Sequence, residues 1–225
     1  MNPFVERKIP LKHRFSFSDL LNNLGQLVLV SILWGFCCLP VFTIGPACTA
    51  LYYTVVKVIR RERSSTLEAY FHAFRENFWQ SVYWNLGLLG YYAAVSLAFV
   101  LRVHAAGGFQ LDGAMGAILV FAVLAAWLIP YVYPVISRFF HRGGALFRFV
   151  LYISIRHFGV TVLSLVLLAV CFYLVLLNSA SLIFLPGLYA LIQSFLLEPI
   201  FKAMSNDDDA FNYDEWYGDM GSETK

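Results

Sequence analysis

An all-α bundle embedded in a membrane is the fold class this sequence predicts, and three observations predict it. Of its residues 60% are hydrophobic and 13% charged, whereas a typical soluble domain carries about 25% charge. Apolar runs recur along the chain at lengths near the roughly 20 residues needed to cross a ~30 Å hydrocarbon core. Basic residues gather in alternate connections between those runs, the pattern left by membrane insertion. The 225 residues leave little room for a separate soluble domain beside such runs. The basic excess therefore speaks to orientation and gives no case for nucleic-acid binding.

The first span is expected over about 20–40, after a basic lead with Arg7, Lys8, Lys12 and Arg14. A break follows at Pro40, Thr43, Gly45 and Pro46, and the apolar run resumes as a second span over 46–61. Pro46 suits a first helical position, where its missing N–H would be unpaired anyway. This helix is short: counted to Arg60 it reaches only roughly 22 Å at 1.5 Å per residue. Lys57 near its end can snorkel toward the headgroups.

Ser65 and Glu68 then have capping-box spacing, opening a helix over 65–79 in which Leu67, Phe71, Phe74 and Phe78 form one apolar stripe. Glu68, His72, Arg75 and Glu76 lie largely off that stripe, which predicts an amphipathic helix at the membrane interface. Spans over 81–101 and 114–137 follow, joined by a short polar connection from Arg102 to Asp112. A second, less cleanly amphipathic helix is expected over 145–157, then spans over 159–177 and 182–201. The prediction is thus about six spans, arranged as three hairpins separated by two interfacial helices, forming one domain over 1–205. Seven of the fourteen acidic residues lie after Ser205, so 206–225 reads as an acidic, disordered cytoplasmic tail.

Orientation follows from counting. With both termini in the cytoplasm, the inner side holds the basic lead, then Lys57, Arg60, Arg61, Arg63 and Arg75, then Arg138, Arg142, Arg148, Arg156 and Lys202; the outer side holds only Arg102. An odd number of crossings would put one basic cluster outside. A signal peptide cleaved near "PACTA" fits poorly, because apolar spans continue immediately after it.

Weak internal similarity accompanies this order. "TIGPACTALYY" resembles "FLPGLYALIQS", and "AFRENFWQSVYWNLGLL" resembles "SIRHFGVTVLSLVLL", which sets Arg75 opposite Arg156.

Several residues are candidates for function. A Pro/Gly break inside a membrane needs protein or a water-filled cavity to satisfy its freed backbone groups, and transporters use such breaks for substrates; here the break is Pro40, Thr43, Gly45 and Pro46. A tight hairpin with Thr43 pairing backbone carbonyls explains it as well. Glu198 is the acidic residue inside a span; its spacing to Lys202 fits an interfacial i,i+4 ion pair, with contact to Arg138 or a role in proton movement as alternatives. Asn85, Gln193 and His157 fit a polar path, and interhelical hydrogen bonds account equally for the two amides. Trp79, Tyr83, Trp84, Tyr131 and Tyr133 suit interfacial belts. The four cysteines, Cys37, Cys38, Cys48 and Cys171, read as packing residues without metal-ligand spacing. With no phosphate-binding glycine loop, no zinc-binding histidine pair and no serine–histidine–acid set, no enzyme, catalytic residue, metal or cofactor is expected.

The segment with Leu39, Pro40, Thr43, Ile44, Gly45, Pro46, Ala50, Leu51, Tyr52 and Tyr53, followed by Phe74, Arg75, Asn77 and Phe78, resembles the signature of the YesL-like family of predicted bacterial membrane proteins. Beyond the first third of the chain the likeness is mainly one of span order and length. The resemblance implies a multi-pass protein of the bacterial cytoplasmic membrane without an assigned biochemical function. Members are often encoded beside carbohydrate ABC importers and polysaccharide-degrading enzymes in Gram-positive bacteria. It implies the lipid bilayer and an importer permease as partners, and it carries over no catalytic or ligand residue. The expected function is a non-enzymatic accessory component of such an importer; the alternative is a small transporter or channel using the Pro40–Pro46 break.

Overall fold

The computed structural model describes residues 17–59, 65–139 and 143–205. The basic lead, Arg60, Arg61, Arg63, His141, Arg142 and the acidic tail lie outside the described residues. Within them the chain is all α. Helix α1 spans Phe17–Cys37, and a 3₁₀ turn at Val41–Thr43 leads into α2, Ile44–Thr54, which runs on as a π-helical turn over Val55–Ile59. Helices α3 (Thr66–Glu76), α4 (Phe78–Ala105), α5 (Gly113–Ile136), α6 (Gly144–Arg156) and α7 (Phe158–Leu177) follow. A 3₁₀ turn at Ser179–Ile183 connects to α8, Leu185–Ser205. Among the described residues, four helical segments are long and apolar enough to cross a membrane, Val41–Ile59, α4, α5 and α7, against the six spans expected.

Predicted and observed helices agree within a few residues, and the differences have local causes. Helix α2 starts at Ile44, so Pro46 is its third residue; it still sits in the first turn, where no i−4 bond is lost. The π-helical turn was not foreseen. It coincides with the β-branched run Thr54, Val55, Val56, Val58 and Ile59, whose branched carbons crowd a regular helix. The capping box at Ser65 is not formed: its hydroxyl donates to the Glu68 carboxylate at 3.1 Å instead of either group capping the backbone.

The core gathers on α2. Nearly all of α2 is buried, and it touches α1, α3, α4, α5 and α8. Val55 and Val56 from the π-helical turn join Tyr131 and Val135 from the end of α5, Phe139 just after it, Leu197 and Phe201 from α8, and Ile153 from α6. By contrast, most of α4 and α7 turns apolar side chains outward. Leu89, Leu97, Val100 and Leu101 on α4, and Val162, Leu163, Val166 and Val170 on α7, are all exposed. In water such faces would be unstable; in hydrocarbon they are solvated, which is what the composition required.

Helices α3 and α6 each lead into a long helix through an elbow. At Asn77 the backbone N–H bonds the Ala73 carbonyl at 3.1 Å, and its carbonyl accepts from Ser81 N–H at 2.9 Å. At His157 the same pair recurs: its N–H donates to the Ile153 carbonyl at 2.9 Å, and its carbonyl accepts from Thr161 N–H at 3.1 Å. Asn77 therefore corresponds to His157, and the matching of Arg75 with Arg156 is off by one residue. The next turn repeats as well: Ser81 meets Thr49 of α2 at 2.9 Å, and Thr161 meets Tyr131 of α5 at 2.8 Å.

The structure divides α3 differently from the predicted apolar stripe. Thr66, Ala69, Tyr70 and Ala73 point into the bundle, while Leu67 and Phe71 of the apolar stripe are exposed and Phe74 is half-buried. Small residues inward let α3 lie close against α2. On α6 the inward set is Leu146, Val150, Ile153 and Ser154, at helical spacing.

Candidate functional site

The break between α1 and α2 folds as a tight tip in which the Cys37, Pro40 and Val41 carbonyls are paired from within the protein. Cys38 N–H bonds the Trp34 carbonyl at 2.9 Å, and Leu39 N–H the Phe36 carbonyl at 3.3 Å. The Thr43 hydroxyl lies 2.6 Å from both the Cys37 and Pro40 carbonyl oxygens and shares its proton between them. Thr43 N–H also bonds Pro40 O at 3.0 Å. Pro40 fixes the extended backbone that starts the turn.

Asn85 of α4 completes the tip. Its side-chain N–H donates to the Val41 carbonyl at 3.0 Å, and its oxygen accepts from the Tyr133 hydroxyl of α5 at 3.2 Å. One buried amide thus ties α4 to both the tip and α5. Gly45 makes this approach possible. A Cβ there would collide with the Ser81 carbonyl oxygen and sit 2.8 Å from the Asn85 Cβ. Gly187 repeats the device at the start of α8, where a Cβ would fall 2.7 Å from Ser31 Oγ and 2.9 Å from Leu27 O of α1. The Gly187 N–H itself donates to Ser31 Oγ at 3.0 Å.

Gln193 serves a different break. Pro134 cannot donate to the Pro130 carbonyl, which would be left without its helical partner inside α5. The Gln193 side-chain N–H of α8 donates to that carbonyl. Both amides singled out in the sequence therefore act as interhelical caps for irregular backbone.

Glu198 lies deeper than an interfacial pair with Lys202 would require. Its carboxylate pairs with Arg138, which follows α5, and accepts from the Tyr52 hydroxyl of α2 at 3.3 Å. The Arg138 side chain is 0% exposed and that of Glu198 7%. This node joins α2, α5 and α8. Arg138 is the alternative partner that the sequence offered for Glu198; Tyr52 and Tyr133 were not placed with these residues by sequence spacing, because their contacts span 146 and 48 residues. Tyr131 is fully buried on Thr161 and not in an interfacial belt; Trp79 and Tyr83 are exposed, as a belt requires.

A cavity of about 400 Å³ lies between the tip helices and α5, α7 and α8, bordered by Trp34, Cys48, Tyr52, Tyr133, Tyr189 and Gln193. It is almost wholly apolar, and the Trp34 indole N–H points across it to Cys48 Sγ at 3.3 Å. At the far end of α4, Arg102 pairs with Asp112, which also accepts from Met115 N–H at 2.9 Å and so caps α5. The Arg102 guanidinium, and then this backbone bond, hold the Asp112 carboxyl below its ordinary range. Among the described residues no group of three or more histidine, cysteine, aspartate or glutamate side chains is placed to hold a metal ion.

A family model described as "Protein of unknown function, DUF624" matches residues 27–100. The match runs from within α1, through the tip, α2 and α3, and along most of α4, and so contains the Gly45–Asn85 contact. No curated protein and no solved structure matches the chain.

Proposed function

We propose that this protein is a non-enzymatic accessory component of the bacterial cytoplasmic membrane, docked on the permease of a carbohydrate ABC importer, with both termini in the cytoplasm. The observation that carries the docking is the outward face of α3 and α6. Leu67 and Phe71 stand exposed beside Glu68, His72, Arg75 and Glu76, and Phe147, Leu151 and Ile155 beside Arg148 and Arg156. Mixed apolar and charged faces of this kind suit a partner at the headgroup level. The capping of tip carbonyls by Thr43 and Asn85 supports a structural role for the break over a conducting one. The importer as partner comes from the resemblance to the YesL-like family in the Leu39–Tyr53 and Phe74–Phe78 motifs. Cytoplasmic termini are supported by the basic residues Lys57, Arg75, Arg138, Arg148, Arg156 and Lys202 set against the lone Arg102.

Tagged protein isolated from native membranes in mild detergent should bring down a permease subunit, and Phe71→Glu should lose it while keeping the same elution volume. Failure to recover any permease after cross-linking in intact cells overturns the proposal. The 400 Å³ cavity favours a second reading, a small transporter using the Pro40–Pro46 break. It predicts sugar flux in liposomes holding only this protein, and an inert result across a broad solute panel excludes it.

A further inference from the structure

We propose that the 400 Å³ cavity between α1, α2, α5, α7 and α8 binds a long-chain alcohol drawn from the bilayer, with its single uncharged hydroxyl held by Tyr189 and Gln193. The proposal is independent of docking on a permease.

The hydrogen-bond account of the cavity wall carries it. Five side chains on that wall bear oxygen or nitrogen: Trp34, Tyr52, Tyr133, Tyr189 and Gln193. Three have their polar atom engaged elsewhere, the Trp34 N–H with Cys48 Sγ, the Tyr52 hydroxyl with Glu198 and the Tyr133 hydroxyl with Asn85. Gln193 gives its side-chain N–H to the Pro130 carbonyl, which fixes which end of the amide faces α5. Its Oε1 accepts nothing among the described residues and keeps open surface. For a residue only 4% exposed on the wall of this cavity, that surface belongs to the cavity. The Tyr189 hydroxyl, one helical turn away on the same face of α8, likewise makes no hydrogen bond among the described residues. One acceptor and one donor therefore stand together, unpaired, on an otherwise apolar wall. A hydroxyl group satisfies both, donating to Gln193 Oε1 and accepting from Tyr189.

The rest of the wall selects what carries that hydroxyl. No charged residue lines the cavity, so a carboxylate would enter without a counter-charge. A plain alkane would leave Tyr189 and Gln193 as they are, without partners. A sugar would bring many hydroxyls to a wall with two open groups, so this occupant competes with the transporter reading for the same space. Leu185, Tyr189 and Gln193 recur at steps of four on α8, giving the chain about 12 Å of wall to lie along. The exposed lining residues Phe172 and Leu182 stand on α7 and the turn before α8, beside the outward-facing Val166, Val170 and Leu176. The mouth thus opens on the lipid-facing side of the bundle, where hydrocarbon chains are the solvent.

Fluorescence quenching in phospholipid vesicles tests this. Trp34 lines the cavity, so a brominated long-chain alcohol should quench the part of the emission that Trp34→Phe removes. The brominated alkane and carboxylate of equal length should quench that part with an apparent affinity weaker by about tenfold or more, since two hydrogen bonds are missing. Tyr189→Phe keeps the ring and drops the hydroxyl; it should weaken the alcohol about fivefold and leave the alkane unchanged. Cys171→Phe, which fills part of the cavity, should abolish quenching of Trp34 by the alcohol at an unchanged elution volume. Equal affinity for alcohol and alkane in the parent protein overturns the proposal, and so does an alcohol affinity indifferent to Tyr189→Phe. Trp34 emission that no brominated chain reaches overturns it as well. None of these results bears on whether a permease is recovered, so the two proposals fail separately.

Discussion

Replacing Glu198 with glutamine should be among the most damaging single changes in this protein. The carboxylate is the counter-charge to a guanidinium whose side chain has no exposed surface, and it also receives the Tyr52 hydroxyl. Removing one member of a buried ion pair costs about 3–5 kcal/mol, because the remaining charge keeps its desolvation penalty without its partner. At about 1.4 kcal/mol per tenfold, that lowers the folded-to-unfolded ratio by two to nearly four orders of magnitude. For a chain of this length it corresponds to a fall in Tm of about 6–20 °C. Tryptophan fluorescence melts in detergent read it directly. The double variant Arg138→Met with Glu198→Leu should recover most of the loss, since it removes both charges at similar volume, and the four melts form a double-mutant cycle. Lys202→Met, at an exposed position, should stay within about 1 kcal/mol of the parent. A Glu198→Gln protein as stable as its parent would refute the reasoning, and would mean that Arg138 is neutralised without Glu198.

Gly45→Ala should destabilise by about 1–3 kcal/mol in the same melts, because its methyl meets the Ser81 backbone rather than a side chain that could move; Gly90→Ala, with open space around it, should be neutral or slightly stabilising. Gln193→Leu should cost about 1–3 kcal/mol by orphaning the Pro130 carbonyl, and a melt unchanged from the parent would remove it from the α5–α8 contact. Asp112→Asn should reveal a pH dependence. The folded carboxyl titrates below its unfolded value, so its stabilisation is present above the unfolded pKa and disappears as pH falls through the folded one; the melting difference between parent and variant should be present at pH 7 and vanish toward pH 3.

Helix positions were legible because their determinants are local. The turns at Pro40–Pro46, Gly107–Asp112 and Asn178–Ser181 punctuate apolar runs, and α1, α2, α4, α5, α7 and α8 each begin or end within a few residues of one. The candidate site was legible only as a list of polar residues. Asn85 and Gln193 were recognised as hydrogen-bonding amides, but their acceptors, Val41 O and Pro130 O, lie 44 and 63 positions away. For Glu198 both Lys202 and Arg138 were legible as counter-charges; helical spacing favoured Lys202, and only packing brings Arg138 onto the carboxylate.

Composition and periodicity by themselves determined that this chain is a helical membrane protein and where its helices run. These follow from the water-to-lipid transfer of each segment, which needs no knowledge of neighbours. Tertiary structure alone decided that small residues of α3 face inward while Leu67 and Phe71 face out, that Arg138 closes on Glu198, and that Gly45 seats the tip against Asn85. Each of these depends on which helix packs beside which, and hydrophobicity, being non-directional, does not choose among partners.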